Sequence, residues 1–111
     1  MKKKKTKTGS VPTHYNKFLK NYPEVAKSYT DLSNAVKKVG PLSPKMRALI
    51  KLGIAVGLKH EGAVHSHTRK SLEAGASPEE IRQAVILSLT TIGFPSMMAA
   101  LSWVNDVLER R

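Results

Sequence analysis

Residues Lys59 to Glu80 read KHEGAVHSHTRKSLEAGASPEE, and the punctuation inside this stretch decides the fold. Gly75 suits the left-handed residue that ends a helix, because it has no Cβ to clash there. Ser77-Pro78-Glu79-Glu80 then reads as a new helix N-terminus. The serine caps, proline sits where its missing N–H costs nothing, and Glu80 reaches back as the capping-box acid. A helix over His60–Ala74 follows, and its polar face carries three of the chain's four histidines.

The same grammar extends outward. Tyr15, Phe18, Leu19 and Tyr22 recur at helical spacing, and Pro23 opens a further helix with Val25, Ala26, Tyr29, Leu32 and Val36 on one face. Gly40-Pro41 ends it. The tyrosine stripe reads as core and interface rather than as a ligand cage. Ser43-Pro44 starts a helix to Leu58, with Met46, Leu49, Ile50, Gly53, Ile54 and Gly57 on one stripe. Arg47 and Lys51 are the main breaks in its apolar surface. The segment from Ser77 to Ile92 reads as one helix, apolar on most faces, and Gly93-Phe94-Pro95 breaks the chain before a last helix. No internal repeat is present. The expected architecture is an all-α domain of five to six helices over residues 15–111.

Composition narrows the function classes. A chain of 111 residues holds one domain, and 5% aromatic content with Leu, Ile, Val and Ala dominant favours helices over a sheet. The net charge of +11 is unevenly spread: residues 1–20 hold seven lysines and no acid, whereas residues 21–111 hold twelve basic and eight acidic groups, a balance of +4. The excess sits in a segment beginning MKKKKTKTGS, so residues 1–14 are expected to be a disordered basic tail and nucleic acid is not an expected partner. The lysines are not followed by the apolar run of a signal peptide, and no stretch approaches the length of a membrane span. A cytoplasmic location and no membrane partner are expected. Without cysteine there is no disulfide, thiol chemistry or thiolate metal site in this sequence.

Two helices apolar on most faces exceed what one short chain can cover. Gly53 and Gly57, one turn apart, allow close approach of another backbone. A homo-oligomer is expected.

The histidine helix carries the candidate chemistry. His65 and His67 are separated by about 200° on a helix and face nearly opposite sides. His60 and His67 share a face but stand about 10.5 Å apart along the axis. No His-x-x-x-His pair exists, so a metal would need ligands from elsewhere, and neither metal nor cofactor is expected. Glu61 and His65 are one turn apart, as an acid–base pair or as an inert surface ion pair. His67 is expected to be partly buried against a neighbouring helix, as a base or as a structural histidine.

LSPKMRALIKLGIAVGL from Leu42, then HSHTRKSLEAGASPEEIRQAVILSLTTIGFPSMMAAL from His65, resemble the carboxymuconolactone decarboxylase family of the alkylhydroperoxidase D-like fold. The resemblance implies an interlocked trimer or hexamer. Peroxidatic relatives carry a Cys-x-x-Cys, a histidine four residues on and a glutamate upstream. The resemblance places these at His60 and Ala63, His67 and Ala48, so only the histidine is kept and thiol peroxidase activity is not expected. The decarboxylase branch also lacks the cysteines. It implies cofactor-free acid–base chemistry of the lyase or decarboxylase type on a small carboxylated metabolite. His67 would act as principal acid or base with Glu61 and His65 assisting, and His60, Arg69 and Lys70 would meet the substrate. The alternative is a non-catalytic oligomeric binding or scaffold protein that kept the fold.

Overall fold

The cap signals at Ser43, Ser77 and Gly75 all operate in the computed structural model, which describes residues 13–110. Residues 1–12 of the expected disordered tail lie outside these residues, whereas Thr13 and His14, expected to belong to it, form the first turn of a helix. The chain divides into two compact units, one ending at Leu42 and one beginning at Ser43.

The first unit contains α1 (Thr13–Asn21) and α2 (Pro23–Lys37). Helix α1 starts two residues before the expected Tyr15, and Pro23 sits in the first turn of α2 as its fixed φ suggests. The Phe18 and Tyr22 rings pack at 5.4 Å across the α1–α2 junction. Neither helix buries a residue, and Val25, Tyr29, Leu32 and Val36 form an exposed apolar line on α2.

The second unit holds α3 (Pro44–Gly57), α4 (Glu61–Glu73), α5 (Pro78–Ile86), α6 (Leu89–Ile92) and α7 (Phe94–Leu108). Across both units the described residues therefore form six helices of nine residues or more and one four-residue turn of helix. Ser43 Oγ accepts from the Met46 N–H at 3.1 Å. Ser77 and Glu80 close a full capping box: Glu80 N–H donates to Ser77 Oγ at 3.0 Å, and Ser77 N–H donates to Glu80 Oε1 at 2.9 Å. Glu80 also takes Lys45 Nζ at 3.0 Å, tying the start of α5 to the start of α3.

Helix α4 is shorter than the expected His60–Ala74. His60 has an extended backbone (φ −107°, ψ 104°), and its Nδ1 accepts the Ala63 N–H at 3.0 Å, so it is the N-cap and not the first helical residue. At the other end Gly75 has φ 97°. The Gly75 N–H donates to Leu72 O and the Ala76 N–H to Ser71 O, the two bonds of a Schellman motif.

The expected single helix over 77–92 is divided in two. Ser88 Oγ donates to Val85 O at 2.6 Å, and its backbone N–H bonds to the same carbonyl. This local alternative to the helical ladder ends α5 and lets the chain restart as α6.

The core lies between α3, α4, α5 and α7. Leu52, Val56, Val64, Ile81, Val85 and Val104 are almost fully buried and in one cluster. The buried line of α4 is narrow: Val64, Thr68 and Ser71. Its two hydroxyls are satisfied within the helix, Thr68 Oγ1 on Val64 O and Ser71 Oγ on His67 O, both at 2.7 Å. Small buried side chains let α4 lie close to α3 on one side and α7 on the other.

Candidate functional site

The narrow buried line fixes where the histidines go. At about 100° per residue, His65 stands on one flank of the Val64–Thr68–Ser71 line and His67 on the other. The expected opposition of these two residues follows directly.

On one flank, His65 meets α7. Its Nε2 lies 3.2 Å from Asp106 Oδ2 and 3.9 Å from Glu61 Oε2. With the proton on Nε2 the ring donates to Asp106. The Glu61–His65 pairing is as the spacing predicts, whereas Asp106, 41 positions from His65 in sequence, is brought to it only by the fold. The only signal for it is that α7, otherwise FPSMMAALSWVN-VL, spends its single acid at this position.

On the other flank, His67 is half-buried beside α3 and its Nδ1 is fully buried with no hydrogen-bond partner among the described residues. Its pKa is held below the ordinary 6.5, first by burial and then by the positive charges of Lys70 and Lys51. The ring is therefore a neutral imidazole next to two cations. Lys51 is a functional candidate that the sequence marked only as a break in the apolar surface of α3.

The remaining candidates separate. His60 is exposed at the N-cap with Nδ1 engaged, so only its Nε2 is available to a ligand. Lys70 lies one turn beyond His67 and acts on it electrostatically. Arg69 is about 200° from His67 and one turn beyond His65, which puts it on the α7 side of α4. The structure thus brings His67 together with Lys70 and Lys51, and His65 together with Glu61 and Asp106. It does not unite the two histidines.

Residues 23–106 match the model of the carboxymuconolactone decarboxylase family. The chain belongs to that family. The match runs across both units. An uncharacterized protein of Methanocaldococcus jannaschii is 31% identical over 88 residues, which are 79% of this chain and 82% of that protein. The nitrosuccinic acid decarboxylase of Metarhizium robertsii is 32% identical over 73 residues. That alignment takes in 62% of this chain and spans about half, 51%, of that decarboxylase. Among solved structures, the apo form of a carboxymuconolactone decarboxylase family protein from Legionella pneumophila superposes with a TM-score of 0.74 at 28% identity, covering 87% of each chain.

Family membership sharpens the meaning of the missing sulfur. This sequence has no cysteine, and at the positions the resemblance assigns to the thiols stand a helix cap, His60, and a half-buried Ala63. Thiolate reduction of a peroxide has no nucleophile here. No helix among the described residues is long and apolar enough to cross a membrane.

Proposed function

We propose that this chain is a cofactor-free lyase of the decarboxylase type, acting on a small metabolite that carries more than one carboxylate, with His67 as its acid–base residue. The observation that carries the reading is the buried, unpartnered Nδ1 of a neutral His67 beside Lys51 and Lys70. A buried polar nitrogen without a partner costs free energy, about 1–3 kcal/mol, and such a cost is commonly retained where a ligand or reaction uses the group.

The electrostatics suit decarboxylation. In the free protein, burial and the two lysines keep the ring neutral. An anionic substrate placed against Lys51 and Lys70 offsets their charge, so the ring's proton affinity rises and it becomes imidazolium in the complex. The carbon–carbon bond to the departing carboxylate then breaks, carbon dioxide leaves, and the electron pair stays on the substrate carbon. The imidazolium gives that carbon its proton and returns to the neutral state. The decarboxylase named among the relatives supports this class of substrate. Glu61 and His65, on the far flank of α4, take no direct part in this scheme. Arg69 and His60 are peripheral to it.

Assembly belongs to the same proposal: residues 15–111 form one domain that associates as a trimer or hexamer. Met46, Ile50, Ile54 and Leu58 make an exposed apolar line along α3, and a Cβ built on Gly53 or Gly57 would meet nothing within 4 Å among the described residues. A second copy packed there would cover both features.

The test is turnover of nitrosuccinate and of carboxymuconolactone, followed by carbon dioxide release, in the wild type and in His67→Gln. Loss of release in an otherwise folded variant supports the lyase. Failure of the wild type to bind or turn over any member of a panel of small di- and tricarboxylates favours the scaffold reading, to which the occupied His60 cap and Ala48 lend some weight.

A further inference from the structure

The cluster on the far flank of α4 has no role in the reaction above. We propose that Glu61, His65 and Asp106 form a binding site for one first-row divalent cation, with zinc the ion that best fits the donor set. One imidazole nitrogen and two carboxylate oxygens, Nε2, Oε2 and Oδ2, all lie within 4.8 Å of one another. Zinc holds such atoms at about 2.0–2.2 Å, which spaces ligand atoms around one ion by about 3–3.5 Å. The 3.2 Å between His65 Nε2 and Asp106 Oδ2 is already at that spacing, and 3.9 Å to Glu61 Oε2 is close to it. Closing the set asks only for rotation of the exposed Glu61 side chain.

The arrangement is poorly explained as an ion pair alone. Both carboxylates converge on the same ring nitrogen, yet that nitrogen has one proton to donate. Asp106 takes it, and Glu61 at 3.9 Å is beyond hydrogen-bond reach. Two like charges are left facing one point. A dication in place of the proton satisfies all three groups at once.

The supports are rigid where a metal site needs them to be. Glu61 and His65 are one turn apart on α4, and Asp106 comes from α7, which packs on α4 around the buried Val64 and Val104. The side chains of His65, Asp106 and Glu61 are 27%, 42% and 57% exposed, so the ion would keep water on its open side. The nitrogen ligand disfavours magnesium and calcium, which take oxygen donors, and suits zinc or cobalt. The sequence argued against a metal because it shows only two of the three ligands near each other; the fold supplies the third.

This site stands apart from the proposed decarboxylase site, and the test separates them. The full, untagged chain is stripped with chelator, dialysed and titrated with zinc chloride by calorimetry, and with cobalt chloride by visible absorption. One equivalent per chain at micromolar affinity is expected, with no heat from magnesium or calcium. His65→Ala and Asp106→Asn should each weaken binding by at least about tenfold and remove the cobalt band. Glu61→Gln, an exposed first-turn substitution checked by circular dichroism, should also weaken it and keeps the test sharp if the other two fail to fold. His67→Gln should leave the isotherm unchanged. No zinc binding up to millimolar concentration, or binding untouched by all three ligand substitutions, overturns the proposal.

Discussion

His65 and His67 sit on opposite flanks of the same helix, one with its Nε2 3.2 Å from Asp106 Oδ2 and the other with a buried Nδ1 that has no partner among the described residues. Two residues of sequence separate an imidazole that faces carboxylates from one that faces lysines. The cause is the buried Val64–Thr68–Ser71 line, which directs its neighbours toward α7 and α3 respectively.

This asymmetry makes stability depend on pH in a particular window. The folded-state pKa of His67 is depressed, so the unfolded chain binds its proton more readily. The stability that His67 permits is fully present above about pH 6.5–7, and falls as pH drops through 6.5 toward the folded-state value. His67→Gln should flatten this part of the profile in chemical denaturation, and an unchanged slope between pH 7 and the folded-state value would refute the assignment. The Glu80 carboxyl, lowered first by the Ser77 backbone bond and then by Lys45, is also depressed. Its effect is lost only in more acid solution, as pH falls from its ordinary 4.5 through its folded-state value, so the two are separable.

The helix boundaries at α4 and α5 should be sensitive to single atoms. Ser77→Ala removes the oxygen that accepts the Glu80 N–H and is expected to cost about 1 kcal/mol. Gly75→Ala forces a Cβ into a backbone with φ 97° and should cost about 1–2 kcal/mol. Denaturant midpoints with unchanged m-values would check both.

Gly53 separates a monomer from an assembly. Among the described residues of one chain a Cβ there meets nothing within 4 Å, and alanine is the better helix former by about 1 kcal/mol. Gly53→Ala should therefore stabilise a monomer. If another copy's backbone packs against α3, the same methyl group should weaken association. Light scattering that shows a trimer or hexamer for the wild type and a smaller mass for Gly53→Ala and Ile54→Glu is the expected result. A wild-type monomer at micromolar concentration would remove the assembly from the proposal.

Much of this was readable from the chain because the decisive signals are local. Ser43-Pro44, Ser77-Pro78-Glu79-Glu80 and Gly75 are caps whose chemistry acts within one turn, and all three formed. The opposition of His65 and His67 follows from helix geometry alone. The sequence places His60 inside the helix because nothing local distinguishes a histidine in the first turn from one whose ring caps it. The interruption at Ser88 was missed because a serine inside an apolar helix does not announce which carbonyl it will take. Asp106 and Lys51 were out of reach for a different reason. They join the histidines through the packing of α7 and α3 on α4, and packing is not periodic in sequence.

Lys51 offers the sharpest measurement of the His67 site, because it needs no substrate. The depressed pKa has three causes: burial, Lys70 on the same helix and Lys51 from α3. Lys51→Met removes one charge while keeping an apolar chain of similar reach on an exposed position of α3. The His67 ring should then titrate closer to 6.5, since one of the repulsions that disfavour its protonated form is gone. Lys51→Arg, which keeps the charge, should leave the midpoint near that of the wild type. Proton–carbon correlation spectra of the four histidines give these midpoints directly, with His67→Gln assigning the resonance. Added dicarboxylate should raise the wild-type midpoint, as the proposed charge compensation requires, and should raise it less in Lys51→Met. A His67 midpoint at or above 6.5 in the free wild type, or one indifferent to both Lys51→Met and dicarboxylate, would show that the lysines do not govern this imidazole and would remove the basis for its acid–base role.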